Sequence, residues 1–182
     1  ITRSEKSANK SILQAYNSLL FSLSHLVESR DSETGCHLNR VQGYCHLLAT
    51  KLLENNLYPD IVDDLFIDDI HAVSPMHDIG KVAIPDAILK KPAKLTDEEF
   101  ELMKQHPMIG AKIFDKIIED IPFPTFKLGY NLTHYHHERY DGTGYPKGLA
   151  ADDIPLEARI MALADVYDAL LSKRCYKPAF TD

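Results

Sequence analysis

The chain of 182 residues is 45% hydrophobic and carries a formal net charge of −7 at pH 7. This length fits one domain, and the apolar fraction is sufficient for a sizeable core. The negative charge argues against binding of nucleic-acid polymers, although bound metal ions would still admit an anionic substrate. The 3 cysteines lack paired spacing, which indicates a reducing cytoplasm, and no signal peptide or transmembrane run is visible.

The first half of the chain predicts helices. Apolar residues recur at helical spacing over residues 8–29, so we expect a long amphipathic helix there. Its wide apolar stripe favours packing onto this domain over a dimer contact, and a linker from an upstream domain is a third alternative. A second helix runs toward Leu53, and a third begins near Leu65 and ends near Gly80. Residues 82–95 contain two prolines and predict a loop.

The second half of the chain continues the helical pattern. Residues 96–99 form a capping box, which predicts the start of a helix that presents His106. Pro107 restarts the chain into another helix, and residues 128–137 predict one more. The last clear helix starts within 152–155, where a proline is tolerated in the first turn. No segment shows sustained two-residue alternation, so the predicted fold class is all-α.

Two clusters of polar residues indicate chemistry. His136 and His137 lead into a turn that ends in Gly144, Tyr145 and a proline. Upstream, His77 and Asp78 lie among apolar residues, where burial without a partner would be costly. Imidazoles and carboxylates of this kind suit a cluster of first-row divalent metals. A hydrogen-bonded pair in the core is the alternative for the His-Asp dipeptide.

Further residues are candidates for metal or phosphate binding, and each also has an ordinary structural explanation. Asp165 interrupts an apolar helix and needs a cation or a salt bridge. Glu33 and His37 are four residues apart and share one face if they are helical. His106 is either a ligand or a histidine at a helix end. Lys81 could contact a phosphoryl oxygen or be a solvated lysine.

The remaining polar residues carry weaker predictions. Arg174 and Lys177 could grip phosphates, with ordinary surface residues as the alternative. Asp168, one turn after Asp165, is predicted to be an ordinary carboxylate. Four other histidines are predicted to be structural or at the surface: His25, His46, His71 and His134.

Taken together, these residues resemble the HD-GYP family, a branch of the HD-domain metal phosphohydrolases. The resemblance covers roughly residues 30–180. Its motifs occur in order: His-Asp-Ile-Gly-Lys at 77–81, Ile-Pro-Asp at 84–86, Lys-Leu-Thr at 94–96, Lys-Gln-His-Pro at 104–107, His-His-Glu-Arg-Tyr-Asp-Gly-Thr-Gly-Tyr-Pro at 136–146, Ala-Asp-Val-Tyr-Asp-Ala at 164–169 and Arg-Cys-Tyr-Lys-Pro at 174–178.

The resemblance implies an HD-domain helical bundle with an N-terminal helix and an extra loop over residues 142–146, the Gly-Tyr-Pro loop. It also implies hydrolysis of cyclic di-GMP to pGpG and onward to GMP. By the same resemblance, Asp78 bridges two metals and Glu33 adds a third. The implied metal ligands are Glu33, His37, His77, Asp78, His106, His136, His137 and Asp165. The implied substrate contacts are Lys81, Tyr145, Arg174 and Lys177.

The predicted mechanism uses two or three divalent ions. Nitrogen and oxygen ligands without thiolates suit iron, manganese, zinc or nickel, and the resemblance favours iron or manganese because members of the family often use them. A hydroxide that bridges two metals attacks phosphorus in line with the departing ribose oxygen. Asp78 positions the metals, and Lys81 stabilises charge on the equatorial oxygens. These two residues are therefore the predicted catalytic residues.

Other functions and partners remain open at this stage. The chain could hydrolyse another nucleotide, such as a deoxynucleoside triphosphate or an alarmone, or a mixed cyclic dinucleotide. It could also bind cyclic di-GMP without turnover as an interaction module. The resemblance implies a contact between the Gly-Tyr-Pro loop and diguanylate cyclase domains, and a homodimer through the N-terminal helix is a further prediction.

The predicted organisation is an N-terminal helix over residues 1–29 and a catalytic domain over 30–182, whose C-terminal end looks truncated. The chain departs from the family pattern at Pro75, two residues before His77. A proline there removes a helical hydrogen bond and predicts a kink. Ala93 replaces a usual glycine and stiffens the loop.

Overall fold

The computed structural model describes residue 15 and the ranges 18–30 and 36–171. These residues form helices α1 (18–28), α2 (His37–Glu54), α3 (Asp64–Val73), α4 (Asp86–Leu89), α5 (Asp97–Met103), α6 (His106–Asp120), α7 (Pro124–Tyr135) and α8 (Leu156–Leu171). Three short 3-10 helices, Ser74–Met76, Ile79–Ala83 and Ala151–Asp153, join them. Within the described ranges there is no β-strand, which confirms the all-α prediction. None of the described helices is long and apolar enough to cross a membrane.

The helices pack as a bundle around one main core. Helix α2 lies against α3 and α8, and α7 lies against α3, α6 and α8. Fully buried side chains such as Val41, Ile70, Phe114, Leu132 and Met161 fill the space between them. Burial of these apolar surfaces is the main contribution to stability.

Helix α1 belongs partly to the same core. Leu20 and Val27 are buried in the main cluster, whereas Leu19, Leu23 and Leu26 are 58%, 42% and 66% exposed. The helix therefore packs onto the domain along one edge of its apolar stripe. The part of the predicted 8–29 helix before residue 18 lies outside the described residues, apart from the helical residue 15.

Pro75 breaks the third predicted helix earlier than expected. Helix α3 ends at Val73, and the chain continues to Ala83 through two 3-10 helices. The prediction of one helix to Gly80 was therefore wrong, because the proline lacks the N–H that an α-helix would use. The predicted kink is confirmed, and it leaves His77 between the two 3-10 turns.

Two further helix boundaries differ from the prediction. The predicted loop over 82–95 contains the short helix α4, because Ile88 and Leu89 are buried in a second small cluster. His106 does not end the preceding helix but begins α6. The predicted capping box is confirmed: Thr96 N donates to Glu99 Oε2 at 2.7 Å, and Glu99 N donates to Thr96 Oγ1 at 3.3 Å.

The prolines at 122 and 124 have different effects from those expected. Helix α6 ends at Asp120, which confirms the predicted break before these prolines. Pro124, however, is the first residue of α7. Proline suits the first turn of a helix, where its missing N–H would have no partner. The helix predicted from residue 128 therefore starts four residues earlier.

Candidate metal centre

Two groups of side chains with metal-ligating atoms lie beside each other in the bundle. One group consists of Asp78, His106, His136 and His137, and the other of His37, His77 and Asp165. Within each group the ligating atoms lie within 4.8 Å of one another. The groups come from helix ends and turns: the start of α2, the 3-10 turns after α3, the start of α6, the end of α7 and the middle of α8.

Asp78 links the two groups through its two oxygens. Its Oδ1 lies 3.1 Å from His106 Nε2 and 3.7 Å from His136 Nε2, both in the first group. Its Oδ2 lies 3.3 Å from Nε2 of His77 in the second group. Asp78 would therefore be placed to hold an ion in each group, one through each oxygen.

Three of the histidines are oriented by the same backbone contact. In each case Nδ1 lies within hydrogen-bonding distance of the carbonyl oxygen three residues earlier. Since a carbonyl only accepts, Nδ1 is the donor in each contact, and Nε2 is the ring nitrogen that faces Asp78. The contacts are His77 to Ser74 O at 3.0 Å, His106 to Met103 O at 2.8 Å and His136 to Thr133 O at 2.9 Å.

The Nε2 atoms of several histidines lie so close together that a bound cation would suit them. His106 Nε2 lies 3.1 Å from His137 Nε2 and 3.5 Å from His136 Nε2. His77 Nε2 and Asp78 Oδ1 are buried without a hydrogen-bond partner. Buried polar atoms in a folded protein are normally satisfied. Imidazole nitrogens and a carboxylate that converge in this way are the donor set of a divalent metal.

The charges around Asp78 keep it ionised. Burial alone would raise the pKa of Asp78, but Lys81 and His77 outweigh this effect and hold the pKa well below its usual range. Lys81 Nζ lies 2.8 Å from Asp78 Oδ2. Burial likewise lowers the pKa of His137 well below its usual value, with a further contribution from His136. A neutral imidazole is the form that binds a metal.

The pKa of His77 is shifted in the opposite direction to those of His136 and His137. Burial would lower its pKa, but the negative charge of Asp78 outweighs this and raises the pKa to about 9. A proton on His77 is then the positive charge that faces the carboxylate near neutral pH. Because a metal ion competes with that proton, metal binding by this group is coupled to proton release.

A buried carboxylate supports His37 in the second group. Asp168 Oδ2 lies 2.7 Å from His37 Nδ1, and Arg40 donates to both oxygens of Asp168 at 2.6 and 2.9 Å. Burial would raise the pKa of Asp168, but the hydrogen bonds from Arg40 and His37 hold it below its usual value. His37 Nε2 then faces Asp165 Oδ1 at 3.7 Å.

The prediction that Asp168 is an ordinary carboxylate was therefore wrong. Asp168 is 2% exposed, whereas Asp165 is half-buried with 22% of its side chain exposed. The two residues are three apart on α8, so the helical repeat places both toward α2. This spacing was the signal in the sequence that could have placed Asp168 on the same face of α8 as Asp165, although it does not identify His37 as the partner.

Replacement of Asp168 by asparagine should weaken metal binding while leaving the ligating atoms in place. Loss of a carboxylate behind a histidine ligand costs about 10–100-fold in metal affinity. We expect a loss of that size in a metal titration of the metal-free protein. Asp153→Asn, at an exposed position before α8, is the control and should bind metal normally. Unchanged affinity in Asp168→Asn would show that His37 does not depend on this contact.

The Gly-Tyr-Pro loop is fastened to the histidine pair by a buried glutamate. Glu138 is 4% exposed, and its oxygens accept hydrogen bonds from Lys147 N at 2.7 Å and Leu149 N at 3.0 Å. A Cβ at Gly144 would overlap the backbone of Glu138, so only glycine permits this approach. The Tyr145 ring stacks on His137 with centroids 4.7 Å apart. Burial raises the pKa of the Tyr145 phenol, which keeps its proton for donation.

Replacement of Glu138 by glutamine should destabilise the fold. The amide has one acceptor oxygen, so one of the two backbone N–H groups would lose its partner. An unsatisfied buried donor costs about 1–3 kcal/mol, which corresponds to a fall in Tm of about 2–12 °C for a domain of this size. Thermal unfolding followed by circular dichroism measures it. Glu119→Gln, at an exposed position, should change Tm little, and an unchanged Tm in Glu138→Gln would contradict the role of the carboxylate.

Arg30 connects the end of α1 to the segment that carries Lys81. Its guanidinium donates to the carbonyl oxygens of Val82 at 2.7 Å and Ile84 at 3.0 Å, and to Asp86 Oδ1 at 2.7 Å. These bonds satisfy carbonyl groups at the end of a 3-10 helix, which would otherwise lack partners. Nothing in the local sequence pattern indicated this contact, because its partners lie more than fifty residues away.

Three predicted site residues lie outside the described residues: Glu33, Arg174 and Lys177. The structure brings together the other predicted metal ligands. The four histidines predicted to be structural or at the surface take no part in either group. Of these, His46 packs edge-on against His71, and His134 Nδ1 lies 3.0 Å from the hydroxyl of Tyr130.

Comparison with known proteins defines the family. The profile of the HD domain family matches residues 23–182. The chain therefore belongs to the HD domain family, and the resemblance to its HD-GYP branch agrees with the names of the curated relatives.

Three of these relatives illustrate the similarity. A cyclic di-GMP phosphodiesterase of Vibrio cholerae is 48% identical over 163 residues, which covers 89% of this chain and 33% of that protein. A cyclic di-GMP phosphodiesterase of Thermotoga maritima is 40% identical, over 95% of this chain and 45% of that protein. A 3'3'-cGAMP-specific phosphodiesterase of Vibrio cholerae is 42% identical, over 90% of this chain and 29% of that protein. The chain thus spans less than half the length of these relatives.

Proposed function

We propose that this chain is a metal-dependent phosphodiesterase that hydrolyses cyclic di-GMP. The observation that carries the proposal is the convergence of histidine Nε2 atoms on Asp78, whose two oxygens face the two groups of ligands. The names of relatives that are 40–48% identical over most of the chain supply the substrate. The reaction adds water across a phosphodiester bond: phosphorus gains a bond to the water oxygen, and the ribose 3′ oxygen leaves with a proton.

The roles of the residues follow from their positions. We assign metal binding to His37, His77, Asp78, His106, His136, His137 and Asp165, and carry Glu33 as a proposal from the resemblance. Bound divalent ions supply the activated hydroxide predicted from the sequence and neutralise charge on the attacked phosphate. Lys81 holds Asp78 ionised and is proposed to contact a phosphate oxygen of the substrate. Tyr145, whose ring stacks on His137, is proposed to donate a hydrogen bond from its hydroxyl to the substrate. Arg174 and Lys177 are proposed as further phosphate contacts.

Iron or manganese is the proposed metal. Both groups combine imidazole nitrogens with a carboxylate, and neither contains a thiolate among the described residues. Cys36, next to His37, is exposed and free. This donor set suits iron and manganese and does not favour copper(I) or an iron–sulfur cluster. Metal analysis of anaerobically purified protein identifies the ion.

The test is product analysis of cyclic di-GMP incubated with anaerobically prepared protein that carries iron(II) or manganese(II). We expect pGpG or GMP to appear only with metal. An intact substrate in the presence of a full metal site would contradict the proposal and favour the interaction module, and binding of labelled cyclic di-GMP would then identify that module.

Hydrolysis of 3'3'-cGAMP is the second candidate function. Three relatives with this name are 42%, 34% and 30% identical to the chain. The two substrates share the cyclic phosphodiester ring and differ in one purine, so the metal centre does not discriminate between them. The ratio of kcat/KM for the two dinucleotides decides which one is preferred.

The predicted partners and location stay predictions. Exposed Leu19, Leu23 and Leu26 on α1 support a homodimer through this helix, which sedimentation of the purified chain tests. A contact with diguanylate cyclase domains rests on the resemblance alone. The reducing cytoplasm rests on the pattern of cysteines, of which Cys36 and Cys45 are both free thiols.

A further inference from the structure

We propose that Phe100 of α5 and Lys104, the residue that follows this helix, bind the part of a cyclic dinucleotide that is not hydrolysed. Lys104 contacts the second phosphate of the ring, and Phe100 packs against a purine. This inference rests on the proposed function and names a specificity site beside the metal centre. Neither residue was a site candidate from the sequence, although Lys104 begins the Lys-Gln-His-Pro motif at 104–107.

The two residues line a cleft that opens directly from the metal centre. The cleft has a volume of about 400 Å³, which falls within the usual range for sites that bind small ligands. Its inner end consists of His136 and His137 of the first ligand group. Its remaining lining comes from α5, the Gly-Tyr-Pro loop and α8, with Phe100, Lys104, Tyr145, Ala162 and Val166 as the residues that matter here.

A row of rings runs from the metal centre to the outer part of the cleft. The His137 ring stacks on Tyr145 at 4.7 Å between centroids, and Tyr145 meets Phe100 edge-on at 6.5 Å. Phe100 is 47% exposed although it is a large apolar side chain. Aromatic faces exposed in this way accept nucleobases by stacking, and they do so without selecting one base strictly.

An aliphatic wall from α8 completes the cleft. Ala162 and Val166 are four residues apart and therefore lie on one face of the helix. Val166 is 56% exposed, next in sequence to the candidate ligand Asp165. A flat purine fits between an aromatic and an aliphatic surface, because both of its faces are apolar and its polar groups lie on its edges.

Lys104 supplies a positive charge at the outer part of the cleft. Its ammonium lies 5.5 Å from the Phe100 ring centroid and 5.9 Å from that of Tyr145, and Glu101 Oε1 holds it at 2.5 Å. An ammonium has three donors, so this contact leaves donors for a phosphate oxygen. Among the described residues, Lys81 also lies near the centre, and it is paired with Asp78.

The chemistry of the substrate explains why a second cation is needed. A cyclic dinucleotide carries two phosphodiesters, and each has one negative charge. When one phosphate lies at the metal centre, the other lies elsewhere in the cleft and requires its own counter-charge. A point charge on a lysine suits a phosphate, and its contribution weakens as salt concentration rises.

The test compares two substrates in metal-loaded protein. Cyclic di-GMP has the second phosphate and the purines, whereas bis(4-nitrophenyl) phosphate has neither. We expect Phe100→Leu and Lys104→Gln each to raise KM for cyclic di-GMP about tenfold, the loss that one stacked base or one charged hydrogen bond represents. Their kinetics with bis(4-nitrophenyl) phosphate should equal those of the wild type. Lys104→Arg, which keeps the charge, should restore KM.

Matched controls use the same substitutions at exposed positions away from the cleft. Phe123→Leu and Lys116→Gln replace side chains that are 63% and 81% exposed, and both should leave KM unchanged. The KM of the wild type should also rise more steeply with salt than that of Lys104→Gln. Wild-type KM in Phe100→Leu and Lys104→Gln would overturn the inference while the phosphodiesterase stands.

If the proposed function itself is wrong, the experiments give results that differ from those that overturn only the role of Phe100 and Lys104. A wild-type protein that binds cyclic di-GMP without turnover would overturn the enzyme, and the dissociation constants of the same variants would then decide the inference. A wild-type protein that neither binds nor hydrolyses cyclic di-GMP would overturn both.

Discussion

Replacement of Asp78 by alanine is expected to remove the bound metal and the turnover of cyclic di-GMP together. Its two oxygens face His106 and His77, which belong to different groups of ligands, so its loss affects both. Loss of a residue that only supports a ligand costs about 10–100-fold in metal affinity. Loss of Asp78 should therefore exceed about 100-fold in affinity and in kcat/KM. Metal analysis and product chromatography measure the two quantities on the same preparation.

Thermal unfolding gives a second measure that does not depend on activity. Metal present at 100 times its dissociation constant stabilises the native state by about 2.7 kcal/mol, or roughly 5–10 °C in Tm for a domain of this size. The wild type should show this shift between metal-free and metal-loaded protein, and Asp78→Ala should not. Asp78→Asn, which keeps the shape of the side chain, separates the loss of charge from the loss of volume.

Asp115→Asn is the control for these experiments, because Asp115 is an exposed carboxylate on α6. It should retain the metal, the turnover and the shift in Tm. If Asp78→Ala bound the normal amount of metal and turned over the substrate normally, the metal centre would lie elsewhere.

The ligand groups could be predicted because their members come in short, ordered motifs. Each pair consists of neighbouring residues, His77 with Asp78 and His136 with His137. The sequence alone therefore shows that the members of each pair lie close together. Their convergence rests on the order of the motifs in the resemblance, since spacing alone leaves a hydrogen-bonded core pair open. The Nδ1 contacts to carbonyl groups three residues earlier are equally local.

The supporting residues could not be predicted in the same way. Asp168 contacts His37 across 131 positions of sequence, and no local pattern reports a partner at that distance. Glu138 stood within a recognised motif, but its role is to hold backbone N–H groups nine and eleven residues later. Phe100 and Lys104 form part of a cleft only because the Gly-Tyr-Pro loop folds back beside α5.

Three of the errors in the helices involve a proline. Pro75, Pro107 and Pro124 each act through the N–H that they lack, and the same residue type ends one helix and begins another. Pro75 stops α3, whereas Pro124 begins α7, because a first turn leaves its N–H groups without partners. The sequence identifies the break, and packing decides on which side of the proline the helix lies.

Replacement of Gly80 by alanine should damage both the fold and the metal centre. The 3-10 helix that carries Gly80 crosses the start of α6 so closely that a Cβ there would overlap the carbonyl of His106 and lie 2.6 Å from Gly110 N. These are backbone atoms, which cannot rotate away. Overpacking of a core costs about 1–3 kcal/mol and occasionally more, and we expect at least the upper value here.

Gly43→Ala is the matched control, because the same substitution should have the opposite sign there. Gly43 is exposed in the middle of α2, and a Cβ would meet nothing within 4 Å. Alanine in a helix is more stable than glycine by about 0.5–1 kcal/mol, so Tm should rise slightly. For Gly80→Ala we expect a fall in Tm of about 6–12 °C.

The metal centre provides the second readout for Gly80→Ala. Gly80 lies two residues after Asp78 and against His106, so separating the two backbones by the width of a methyl group pulls Asp78 Oδ1 away from His106 Nε2. Metal affinity should therefore fall even at temperatures where the variant is fully folded. A variant with lowered Tm but normal affinity would show that the close approach serves only packing. A variant with normal Tm and normal affinity would show that the two segments are free to separate without cost.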